Sequence, residues 1–208
     1  MNNLDRFFVE SESAAQYARR YVEHLGQLLT RLDFSAVEKF TDLLDNTRRK
    51  GQTVFFVGNG GSAATASHWV NDLSIGTQIK GAPYFRALSL TDNVSLLTAL
   101  GNDRSYQDLF VGQLEVLFRQ GDVLVGISAS GNSLNVLRAI EYANDHGGTT
   151  VGLTGFDGGQ MRGLCHLCIN VETAKGEYGP VEDVHLVLDH LVTSYLKARD
   201  RASAAGNS

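Results

Sequence analysis

The sequence predicts an α/β fold, a three-layer doubly wound parallel sheet with an N-terminal helical extension. Five short apolar runs, "TVFFVG", "FRALSL", "DVLVGIS", "TTVGLTG" and "LCINVE", alternate with stretches of helical character. The runs are almost continuously apolar, as strands covered on both faces must be. Before the first run, from Ser11 to Arg49, Gly26 is the only glycine or proline, and apolar residues recur three and four apart.

Taken in order, Tyr17, Tyr21, Leu25, Leu28 and Leu29, then Phe34, Val37, Phe40, Leu43 and Leu44 mark two amphipathic helices. They part near "RLDFS", where Asp33 or Ser35 is placed to cap the second. These helices precede the first strand and carry apolar faces that the sheet does not demand, so residues 1–50 are expected to serve oligomerisation. Residues 51–200 form the strand-and-helix domain, and the whole is one structural unit. The intervening helices are "SAATASHWVNDLS", "NVSLLTALG" and "SLNVLRAIEYANDHG", and "VEDVHLVLDHLVTSYLKARD" follows the last strand. The final "RASAAGNS" is small and polar and is expected to fray.

At 208 residues, 43% hydrophobic and 20% charged, the chain suits one globular domain. A net charge of −5 without a basic stripe argues against nucleic acid as the partner. No apolar run nears the roughly 20 residues that span a bilayer. The start, "MNNLDRFFVESES", lacks the basic end and apolar centre of a secretory signal, so a cytoplasmic location is expected. Cys165 and Cys168 form one C-x-x-C without a second pair, which reads as two reduced, structural thiols.

In doubly wound sheets, ligands bind beyond the carboxyl ends of the strands. Two loops there share a chemistry. "GNGGSAA", around Asn59, Gly60, Gly61 and Ser62, fits neither the Walker loop nor G-x-G-x-x-G. "SASGNS" sets Ser128, Ser130 and Ser133 around Gly131, just before a helix. Hydroxyls, free amides and a helix N-terminus make an anion site without lysine or arginine. The second loop is therefore the phosphate grip, and the first lines the sugar end of the cavity.

His68 and Asp72 stand four apart in a helix and share a face. Further on, "VEDVHLVLDH" supplies Glu182, Asp183, His185, Asp189 and His190 within an apolar helix, where polar groups need partners. Two pairings compete. His185 with Asp189 is an i,i+4 couple, whereas Glu182 and His190 lie two turns apart and need a ligand between them. Spacing slightly favours the first.

The S-x-S-G-x-S loop, with "GNGGSAATASH", "GNDRSYQDLF", "LTGFDGG" and "VEDVHLVLDH", resembles the sugar isomerase (SIS) domain family and, over nearly the whole chain, its phosphoheptose isomerases. That resemblance implies conversion of sedoheptulose 7-phosphate to a heptose 7-phosphate for glycan precursors, in a homotetramer with sites at subunit boundaries. It also implies a zinc site of His68, Asp72, Glu182 and His190, which favours the second pairing. Asn102 and Asp103 are implied to touch substrate, with Asn59, Gly60, Gly61, Ser62, Ser128, Ala129, Ser130, Ser133 and Glu182. The chain departs from the family pattern in Asp72 for glutamate, Glu182 for glutamine, Ala129 for threonine, and Gly179 near a usual aspartate. Asp72 is expected as the base and His190 as the acid. Two alternatives come with the resemblance: a non-catalytic member that binds the replication initiator, and an isomerase for another phosphosugar.

Overall fold

The computed structural model describes residues 1–205 and places five parallel strands in the order β2-β1-β3-β4-β5. These are β1 (Thr53–Gly58), β2 (Arg86–Ser89), β3 (Val123–Ser128), β4 (Thr149–Gly155) and β5 (Leu167–Val171). The expected strands are all present, and the sheet is wound to both sides, as the near-continuous apolar runs require. Val54 and Phe56 of β1 join Val123, Val125 and Ile127 of β3 in one core cluster. Phe55, Val57 and Leu124 point to the opposite one, as a side-chain period of two dictates.

The first core is closed by α3 (Phe34–Arg49), α4 (Gly61–Asn71) and α9 (Tyr178–Ala205), through Phe40, Leu44, Trp69, Val184 and Leu188. The second is closed by α6 (Val111–Leu117), α7 (Leu134–Asp145) and α8 (Met161–Leu164), through Leu114, Val136, Ile140 and Met161. Helix α5 (Val94–Asp103) lies outside both, with only Leu97 and Leu100 packed against the second. Phe40 and Phe56 both meet the Trp69 ring, at centroid distances of 5.5 and 5.7 Å.

The N-terminal region corrects one expectation. Helix α2 (Ala14–Thr30) is capped by Ser13, and α3 by Asp33, whose carboxylate accepts from Ser35 and Ala36 N–H. Leu28, Leu32, Ala36, Val37, Phe40 and Leu44 then enter the main core beside the strands, so these helices are part of the sheet's cover. Their apolar faces are demanded by the sheet after all. A further helix, α1 (Asn3–Val9), opens with an Asn2–Asp5 capping box. It is pinned by the buried Glu177 carboxylate, which accepts from Asn3 N–H at 2.8 Å and contacts His24 Nε2 at 2.8 Å.

At the other end α9 continues through residues 201–205, where fraying was expected; residues 206–208 lie outside the described residues. The buried Arg48 guanidinium binds both Asp200 carboxylate oxygens at 2.7 Å and ties this end of α9 to α3. Cys165 and Cys168 are free thiols, and burial pushes Cys165 up to about 12, consistent with a packing role.

Candidate active site

After β1 the chain enters α4 on one face of the sheet, and after β3 it enters α7 on the other. Because β1 and β3 are neighbours, a crevice opens between the two loops at their carboxyl ends. Both glycine-serine loops lie there.

At the second loop, Ser128 Oγ stands 3.4 Å from Ser130 Oγ and 3.2 Å from Ser133 Oγ. Ser133 occupies the N-cap of α7, yet its hydroxyl makes no capping bond among the described residues. Three hydroxyls thus converge before a helix N-terminus, with Ala129 buried between them. Gly131 has φ +62, and a Cβ there would meet Gly158 O at 2.0 Å. Only glycine lets "DGG" brace the loop so closely.

The first loop is joined to the second by a reciprocal amide pair. Asn59 Nδ2 donates to Asn135 Oδ1 at 2.9 Å, and Asn135 Nδ2 donates to Asn59 Oδ1 at 2.8 Å. Tyr106 OH donates to the same Asn59 oxygen at 2.9 Å. A cavity of about 330 Å³ lies beside it, lined by Gly58, Asn59, Gly60, Thr91, Tyr106 and neighbouring apolar residues. Asn135, Tyr106 and Thr91 escaped sequence reasoning because only the fold brings them to the loops. Ser62 is buried in the first turn of α4.

From this loop α4 runs alongside α9 in the same direction, Gly61 meeting Glu182 at one end and His68 meeting His190 at the other. His68 Nε2 and His190 Nε2 are 3.1 Å apart, and Asp72 Oδ2 lies 3.6 and 4.0 Å from them. One ligand atom from each of the three residues falls within 4.8 Å of the others, close enough for all to reach one cation. Asp72 opens a π-helical turn, Asp72–Gly76, yet its N–H still reaches His68 O, so the i,i+4 relation survives. The three side chains are 22 to 55% exposed and open to a ligand.

Glu182 stays out of that cluster. Eight residues of helix separate it from His190, roughly 12 Å along the axis, and its carboxylate rests instead against Gly61 at the N-terminus of α4. Burial, with the Asp183 charge, raises its pKa. Asp189 takes the inward position beside the cluster, its Oδ2 4.0 Å from His68 Nε2. Its side chain is 0% exposed and neither oxygen has a hydrogen-bond partner among the described residues. Burial, helped by the Asp72 charge, pushes it up to about 8.

His185 and Asp189, the couple that spacing favoured, are not paired. His185 Nε2 donates to Thr154 O at 3.1 Å, and burial holds its pKa down at about 4. Asn102 and Asp103 are exposed at the end of α5, bonded to each other at 2.8 Å and absent from the cavity lining.

A SIS-domain model matches residues 16–155. A curated phosphoheptose isomerase of Nitratidesulfovibrio vulgaris is 41% identical over 182 residues, 84% of this chain and 86% of the relative. The chain belongs to the phosphoheptose isomerase family. One from Aneurinibacillus thermoaerophilus is 33% identical over 95% of this chain and 94% of its own. The solved phosphoheptose isomerase GmhA of Neisseria gonorrhoeae superposes with a TM-score of 0.75 at 29% identity, covering 89% of this chain and 96% of that one.

Proposed function

We infer that this protein isomerises sedoheptulose 7-phosphate to the corresponding aldose, D-glycero-D-manno-heptose 7-phosphate, in the making of heptose-containing glycan precursors. The observation that carries the reading is one crevice holding both a hydroxyl-lined anion loop and a His68–Asp72–His190 cluster.

The phosphate sits on Ser128, Ser130 and Ser133 and the α7 N-terminus, where the backbone at Ala129 adds to the cradle. The sugar lies along Asn59, Gly60, Gly61 and Ser62 toward the cluster, with Glu182 facing its hydroxyls. Asp72 takes the proton from C1 of the ketose and returns it to C2. His190 moves the second proton from the oxygen on C1 to that on C2, so the net change is isomerisation without redox.

Two imidazoles and a carboxylate, each offering one ligand atom within 4.8 Å of the others, are a donor set suited to zinc. When bound, the ion would polarise the sugar carbonyl. The exposed Asn102 and Asp103, and the exposed Val94 and Leu96 on the same helix, fit a homotetramer in which α5 serves a neighbouring subunit's site. A cytoplasmic location goes with a sugar-phosphate substrate. No described helix is long and apolar enough to cross a membrane.

Purified protein incubated with sedoheptulose 7-phosphate, with and without a chelator, tests the reading. Formation of the heptose aldose is expected. No turnover with metal supplied, or turnover only of another phosphosugar, would overturn it.

A further inference from the structure

We propose that Asn135 and Tyr106 are positioning residues of the crevice, which act through Asn59 to set the sugar loop against the phosphate loop. Their kinetic effect rests on the isomerase reading; the tie between the loops does not.

Asn135 is the second residue of α7 and only 2% exposed. Val136 N–H donates to its Oδ1 at 3.0 Å, which fixes the orientation of the amide. With the oxygen so placed, the reciprocal bonds to Asn59, at 2.9 and 2.8 Å, hold the Asn59 amide one way round as well. Asn59 Oδ1 also accepts from Tyr106 OH at 2.9 Å. A carbonyl oxygen has two lone pairs, so this one is fully used and has none left for a sugar hydroxyl. The Asn59 side chain is therefore chiefly a tie.

The pair spans the crevice. Asn59 follows β1, and Asn135 lies just beyond Ser133 of the phosphate loop, so the two strand ends are linked directly. Tyr106 comes from a third segment, the 3-10 turn Tyr106–Asp108 that follows Asn102 and Asp103. The other end of that turn is fastened to α7 too, Asp108 accepting from Arg138 at 2.7 Å. Asn135 and Arg138 stand one helical turn apart, so the segment is docked along one face of α7. Tyr106 is 63% exposed, so its bond to Asn59, rather than burial, is what holds it there.

The phosphate is gripped on one loop and the carbon chain lies along the other, so the separation of the loops decides where C1 and C2 sit. A misplacement of about 1 Å can cost on the order of a hundredfold in rate. Loosening the tie should lower kcat and spare KM, which the serine loop dominates.

The test compares wild type with Asn135→Ala, Asn59→Ala, Tyr106→Phe and the double variant Asn59→Ala/Tyr106→Phe. Hydrogen exchange of the full chain, read by mass spectrometry over residues 58–63 and 128–133, comes first and needs no turnover. Asn135→Ala should exchange faster in both segments. Tyr106→Phe, which removes one hydroxyl from an exposed ring, should exchange faster in the first. Kinetics on sedoheptulose 7-phosphate follow. In Asn135→Ala kcat should fall by about tenfold or more, as misplacement of the reacting carbons requires. In Tyr106→Phe it should fall by about 2- to 10-fold, the worth of one neutral hydrogen bond, with KM within about twofold of wild type. In the Asn59→Ala background Tyr106→Phe should bring no further loss, because the partner of the hydroxyl is gone. This cycle decides even where Asn135→Ala unfolds.

Equal losses from Tyr106→Phe in both backgrounds would overturn the proposal, since the hydroxyl would then act on the substrate directly. So would unchanged exchange in both segments, or a loss confined to KM. A wild-type chain that turns over no sedoheptulose 7-phosphate overturns the isomerase reading instead, and the exchange result then decides the tie between the loops.

Discussion

At the scale of single residues, acid-base assistance is worth about two to four orders of magnitude in rate. Asp72→Asn and His190→Gln should therefore lose that much kcat on sedoheptulose 7-phosphate while keeping phosphate affinity, since the serine trio lies on a different loop. Near-normal kcat in either variant would refute the roles. His185 sets a second expectation. Its pKa falls from 6.5 unfolded to about 4 folded, so above pH 6.5 neither state is protonated and its full stabilising effect is present. As pH falls toward 4 the unfolded chain takes up the proton first and stability drops, by roughly 3 kcal/mol, then levels. Urea unfolding of His185→Gln should give a shallower slope between pH 6.5 and 4 than wild type, and equal slopes would contradict the assignment. The serine trio was legible because its members fall within six consecutive residues. Asp189 was not: spacing matched it to His185, and which way each faces depends on how α9 is rotated against β4 and α4.

At the scale of elements, the strands could be read because burial on both faces leaves long apolar runs, and α2 and α3 because a capping residue and three turns or more of periodicity mark them. Helices α1 and α6 were missed; seven residues give too few turns for a period to emerge. The role of α3 was misjudged for a different reason. Its amphipathic face is visible in sequence, but the surface that the face covers is not. The joint between α3 and α9 yields a prediction. Arg48 and Asp200 are 1% and 5% exposed, and removing one member of such a pair leaves a buried charge alone. Asp200→Ala should lower unfolding free energy by about 3–5 kcal/mol in denaturant melts. A loss below about 1 kcal/mol would mean that Asp45, which also binds Arg48 at 2.7 Å, suffices.

At the scale of the whole molecule, the site exists only when the first strand's helix meets a helix that follows every strand: His68 and His190 are 122 positions apart. Helix α9 also fills the core with Val181, Val184, Leu188, Val192 and Leu196. A chain stopped at residue 177 should therefore have neither a cooperative melt nor phosphosugar binding by calorimetry, and retention of either would show that the sheet stands without α9. The order of the elements also bears on how the protein is made. At about 5–20 residues per second, roughly one to five seconds pass between synthesis of Val171, which completes the sheet, and of Leu196. Through that interval one apolar face of β1, β3 and β4 lacks part of its cover on the nascent chain, a surface that chaperones would be expected to meet before any sugar does.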